Sequence, residues 1–233
     1  MSFILDRELK NGIPLPFLVA CEGYGDVCLV DALLKHYRIG NCAVGCPSRD
    51  SVGGEGKDKL PKYLGAVQAA LKSRSQTLRG ILVVVDADSS QVDSFNAANV
   101  ALDYGEFPKA LQPFTIYDLV LRVAIYVMPG KGRDGTLEHL LLDAAYLEKP
   151  KAARCVDRFL ACINKRSCFD RPVYKMNQHA KMRMSALAAA TCQKNPWTSA
   201  ANIWGDKGNP VPIESPCFSS LVEFLKQFSA HAK

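Results

Sequence analysis

Apolar positions along the chain fall into two alternating patterns. Residues 15–21 (Leu-Pro-Phe-Leu-Val-Ala-Cys) form a short unbroken apolar run closed by Glu22-Gly23, which predicts a buried strand entering a turn. Val27, Val30, Leu33, Leu34 and Tyr37 then recur at steps of three and four, the face of a helix. A weaker strand is expected over 43–45, followed by a polar loop over 48–56 that contains Gly53, Gly54 and Gly56. A second amphipathic helix runs over 59–71. The clearest strand is Gly80-Ile-Leu-Val-Val-Val-Asp86, whose β-branched residues do not alternate with polar ones and so predict burial on both faces. A helix over 91–105 ends at Gly105 as its cap. A strand over 121–128 is halted by Pro129-Gly130, and a helix follows over 136–146.

Strand and helix thus alternate four times, which predicts an α/β fold built on an open, mainly parallel sheet flanked by helices, with right-handed crossovers. The alternation stops near Pro150. Helical patterns at 151–165 and 178–192, a Pro/Gly/Asn-rich loop at 195–216 and a last amphipathic helix at 218–228 follow. The expected organisation is an α/β domain over 1–148 and a basic, mostly helical extension over 149–233. The extension reads either as an added limb or as a subdomain packed on the sheet.

Composition narrows the class. Of the 233 residues, 48% are hydrophobic and 22% charged, as in ordinary globular proteins. No apolar run nears the roughly 18 residues that span a bilayer, and the first ten residues do not read as a secretory signal. A cytoplasmic protein with no membrane partner is expected. Nine cysteines without a Cys-x-x-Cys pair fit reduced, mostly buried thiols better than zinc. The net charge of +6 is unevenly spread. Residues 1–150 carry 16 Lys+Arg against 18 Asp+Glu, and residues 151–233 carry 13 against 5. A basic extension beside a slightly acidic body points to a polyanion partner, or else to a solvated cationic face.

Candidate chemistry collects at two strand ends. In open α/β sheets ligands bind where loops leave the carboxyl ends of the strands. There the first strand gives Glu22-Gly23-Tyr24-Gly25-Asp26 and the third gives Asp86-Ala87-Asp88. Paired carboxylates leaving a strand offer hard oxygen donors suited to Mg²⁺, although an Asp-x-Asp also serves as a turn or helix cap.

In these parts and their order the chain resembles the Toprim superfamily, marked by Glu-Gly at the first strand end and Asp-x-Asp after the third. Here these are Val-Ala-Cys-Glu22-Gly23 and Val-Val-Val-Asp86-Ala-Asp88. The segments Gly56-Lys57-Asp58-Lys59-Leu60 and Gly135-Thr136-Leu137-Glu138 look like those of small stand-alone Toprim proteins related to OLD-type nucleases. The resemblance spans roughly residues 15–145, and loosely the tail around Lys181. It implies a metal site for Mg²⁺ or Mn²⁺ with Glu22, Asp26, Asp86, Asp88 and Glu138 as ligands. It also implies Glu22 as general acid/base and Lys181 as a cation on the scissile phosphate. Glu138 has a second reading, an acidic residue favoured in a helix's first turn.

Lys57 and Lys59, directly after glycines at a helix start, are read as a phosphate-binding pair or as charged loop tips. Ten basic residues lie between Lys149 and Lys181–Arg183, a density that fits contacts to a nucleic-acid backbone; Phe169, Tyr174 and Trp197 are candidate stacking residues or core. The expected function is metal-dependent hydrolysis of DNA or RNA phosphodiesters. The resemblance allows a setting in antiviral defence and a partner ATPase. A non-catalytic Toprim protein that binds nucleic acid or answers to a partner is the alternative, and a receiver-like domain with an acidic pocket is a third reading.

Overall fold

The computed structural model describes residues 3–4, 9, 12–165, 176–193, 199–205 and 208–230. In chain order the elements are β1 (Phe3–Ile4), β2 (Phe17–Cys21), α1 (Tyr24–His36), β3 (Cys42–Gly45), α2 (Arg49–Val52), α3 (Leu60–Ser73), β4 (Gly80–Asp86) and α4 (Gln91–Tyr104). β5 (Ile116–Asp118), β6 (Arg122–Met128), α5 (Leu137–Glu148), α6 (Pro150–Lys165), α7 (Met176–Thr191) and α8 (Ser219–Ser229) follow. The six described strands form one sheet in the order β1-β3-β2-β4-β6-β5. All pairs are parallel except β5–β6. The expected mainly parallel α/β architecture flanked by helices is the observed one.

The central register sets up the site. Cys21 pairs with Val84, and Asp86 pairs with Met128, so β2, β4 and β6 end together at one edge. Side chains alternate across β4 into two cores. Leu82 and Val84 join Val19, Tyr126, α1, α5 and the tail, whereas Ile81, Val83 and Val85 join Leu18, Ala20, Ile125, α3 and α4. Apolar helices cover both faces, which is why β4 reads as an unbroken apolar run. Residues of the tail, among them Met184, Leu187, Phe218, Leu225 and Phe228, lie in the same cluster as α1 and α5. The tail therefore packs on the sheet's helical layer.

Several local expectations need correction. The loop expected over 48–56 contains the short helix α2, capped by Ser48, whose hydroxyl accepts from Ser51 N–H at 3.1 Å. Strand β5 was not expected: three half-exposed residues on an edge carry no periodic signal. Gly105 does cap α4, but at φ −79° rather than in the left-handed region. Space explains the glycine, since a Cβ there would stand 2.8 Å from Phe107 and 2.9 Å from Leu64. Three of the ten basic residues, Arg166, Arg171 and Lys175, and the stacking candidates Phe169, Tyr174 and Trp197 lie outside the described residues. Among the described residues no helix is long and apolar enough to cross a membrane, and no disulfide joins the described cysteines.

Candidate functional site

Two helix starts and two strand ends, those of β2 and β4, build one cleft. At the end of β2, Glu22 N–H donates to Val84 O (3.1 Å), and the Glu22 carboxylate accepts the Asp86 N–H at Oε2 (3.2 Å). Residues 64 apart in sequence are thus fixed against each other. Gly23 opens α1, and Asp26, at the third helical position, accepts the Gly23 N–H at Oδ2 (2.9 Å). Glycine has no side chain to return the bond, so this is half of a capping box. Asp86 Oδ1 accepts the Leu137 N–H at 2.8 Å, which places the carboxyl at the start of α5. Negative charge is favoured at both helix starts.

The turn before α5 depends on Gly135. Its carbonyl accepts the Asp88 N–H at 2.7 Å, and its φ of +133° lies where side chains are disfavoured. A Cβ there would meet His139 Nδ1 at 2.9 Å. His139 Nδ1 also accepts the Thr136 N–H at 3.0 Å, and Thr136 Oγ1 donates to Glu138 Oε2 at 2.8 Å. Glu138 is thereby held at the cleft instead of pointing freely into solvent.

A cleft of roughly 300 Å³ is lined by Glu22, Asp26, Asp86 and Glu138, with Lys181 of α7 at its rim. Four of the five expected ligands and the expected lysine thus share one cavity. Asp88 does not line it. Its Oδ2 accepts Lys57 Nζ at 2.7 Å and its Oδ1 accepts Asn177 Nδ2 at 2.8 Å. Lys57 also donates to Asp86 O (2.8 Å) and Ser94 Oγ (2.9 Å), and stands 3.9 Å from Glu22 Oε2. Lys59 instead pairs with Asp58 at 2.7 Å, and neither lysine lines the cleft. Of the two residues expected to bind phosphate, one is turned onto the acidic cluster and one onto a neighbouring carboxylate.

Crowding leaves its mark on the carboxyls. Burial, then the neighbouring Glu22 charge, pushes the Asp26 carboxyl up to about 8. Burial, then Asp26, Glu22 and Glu138, holds Asp86 well above the usual carboxylate range. Glu22 is raised by burial, with Lys57 and the Asp86 N–H opposing. An all-oxygen donor set that carries more negative charge than its surroundings neutralise is suited to a hard divalent cation. Among the described residues no three donors already enclose a common point.

Sequence reasoning missed four members of this network. Glu55 accepts the Tyr24 N–H at 3.3 Å and lines the cleft, having been read only as part of a polar loop. Ser94 and Asn177 carry no motif, and only their contacts with Lys57 and Asp88 reveal them. Thr136 was visible as a residue just before a helix, where Ser and Thr commonly cap.

No curated protein matches the chain. Among solved structures it is similar to the C-terminal region of the Burkholderia pseudomallei OLD protein, at 13% identity and a TM-score of 0.45, with 93% of this chain and 100% of that chain covered. The profile of a family described as "Protein of unknown function (DUF3226)" matches residues 16–230, and the chain belongs to that family.

Proposed function

We propose that the chain is a metal-dependent phosphodiesterase of Toprim type acting on nucleic acid, with the cleft at Glu22, Asp26, Asp86 and Glu138 as its centre. The observation that carries this reading is the convergence of those four carboxylates, with Lys181 at the rim, on one cavity at the carboxyl ends of parallel strands. Glu22, Asp26, Asp86 and Glu138 hold Mg²⁺ or Mn²⁺. When bound, such an ion polarises a phosphoryl group and acidifies water.

The chain's own residues supply the rest. Glu22, its proton affinity raised by burial, takes up the proton of the attacking water. The fixed bond from Asp86 N–H to its Oε2 keeps that carboxyl oriented. Lys181 offsets charge on the phosphoryl oxygens as the leaving oxygen departs. Basic side chains of α6 and α7, exposed Arg154 and Arg158 among them, hold the flanking backbone, so binding weakens steeply with salt.

The test is cleavage of supercoiled plasmid DNA and of a structured RNA by the purified chain in Mg²⁺ or Mn²⁺. Asp86→Asn and Asp26→Asn should lower cleavage by about 100-fold or more, the scale of losing a transition-state contact. Cleavage that persists unchanged in both variants moves the chemistry elsewhere. A wild type that never cleaves but retards nucleic acid on a gel is a binding module.

A further inference from the structure

Lys57 is more completely coordinated than a loop lysine needs to be. An ammonium has three hydrogens, and here they meet Asp86 O, Asp88 Oδ2 and Ser94 Oγ at 2.7 to 2.9 Å. These acceptors come from the end of β4, the turn after it and the first turn of α4, and Ser94 is buried. Ser94 is itself fixed, its hydroxyl donating to Ala87 O at 3.0 Å. The other oxygen of Asp88 is taken by Asn177. Asp88 therefore has both oxygens engaged by the protein and does not line the cleft, whereas Glu22, Asp26, Asp86 and Glu138 do.

We infer that the cleft takes one divalent cation, and that the tethered Lys57 ammonium stands on Asp88 where a second ion would otherwise sit. This rests on the proposed metal centre and fixes its stoichiometry. A pair of catalytic metals lies about 3.5–4 Å apart and shares carboxylates. Here the ammonium, 3.9 Å from Glu22 Oε2 and 2.7 Å from Asp88 Oδ2, stands against both carboxylates that a second ion would have to share. To bind there, a second ion must break the ammonium's bonds to three acceptors and overcome its like charge, which is costly. Asp88 is then a positioning residue: it holds Lys57, and through Lys57 the end of β4.

Titration of the full chain with Mn²⁺, followed by calorimetry and by the paramagnetic signal of the free ion, tests this. Wild type should bind one ion. Asp88→Asn should still bind one, with Kd changed by less than about threefold, whereas Asp86→Asn should weaken binding by about tenfold or more. Lys57→Met, which keeps the stem and removes the charge, should admit a second ion at Asp88. Two ions on wild type, loss of binding in Asp88→Asn, or a single ion on folded Lys57→Met each overturn the inference while leaving the metal centre standing. No binding by wild type overturns both. If Lys57→Met does not fold by circular dichroism, the Asp88→Asn and Asp86→Asn pair decides alone.

Discussion

At the scale of single residues, the cleft stores electrostatic tension that pH should expose. Asp26 is buried, and its folded-state value of about 8 lies far above the roughly 3.9 of an exposed Asp. The native chain therefore holds a proton that the unfolded chain releases between those two values. Stability from this group is fully present below about pH 4, declines as pH rises, and is gone above about pH 8. Asp86, raised in the same direction, adds to the slope. With chelator present, Tm should fall by about 5 °C or more between pH 5 and pH 8, each kcal/mol being worth roughly 2–4 °C at this size. Asp26→Asn should reduce that fall, since the amide can accept the Gly23 N–H without charging. Saturating Mn²⁺ should flatten it, because the ion favours the deprotonated form. A Tm independent of pH in chelator contradicts the assignment of Asp26 as a buried, proton-holding carboxyl.

At the scale of elements, legibility in the sequence follows how each segment is buried. β2, β4 and β6 were readable because both faces are covered, so their apolar runs have no gaps. Edge strand β5 and the four-residue helix α2 were not readable, being too short for any period to develop. The site divides in the same way. Glu22, Asp26 and Asp86 could be picked out because they stand at strand ends or a helix start, whereas Glu138 and Lys181 were suggested only by the family resemblance. The division of labour between Asp86 and Asp88 could not, because it depends on Lys57 arriving from a loop 29 residues earlier. Gly135 belongs to this scale, joining the turn after β4 to the start of α5. Gly135→Ala places a Cβ against His139 in a disfavoured backbone region. It should cost about 1–3 kcal/mol in urea unfolding, the usual scale of such backbone strain. Mn²⁺ affinity should fall with it, because Leu137 N–H and Glu138 move. A variant as stable as wild type would mean that the turn relaxes without disturbing the cleft.

At the scale of the whole molecule, the Arg122 tie and the candidate cleft sit at opposite ends of the same strands. Met128, the last residue of β6, pairs with Asp86 at the cleft, and Arg122, the first, pairs with Gly80 at the far edge. The buried Arg122 guanidinium donates to Phe228 O at 2.7 Å, to Ala230 O and to the Asp118 carboxylate, and it stacks over the Phe17 ring. It is the tie that fastens the end of α8 beneath the sheet. Arg122→Met fills much of the volume but leaves two carbonyls without that donor. Loss of charge-assisted bonds to buried acceptors costs about 2–4 kcal/mol in total. The variant should therefore lose that much stability in denaturant unfolding, yet bind Mn²⁺ with wild-type stoichiometry and nearly wild-type affinity in the folded state. The contrast with Asp86→Asn is informative, because a neutral amide there never ionises and should cost little stability or even add some, while weakening metal binding by about tenfold or more. If Arg122→Met instead abolished metal binding at temperatures where circular dichroism shows it folded, the two ends of the sheet would be coupled. The parallel strands would then transmit strain from the α8 tie to the cleft rather than insulating one from the other.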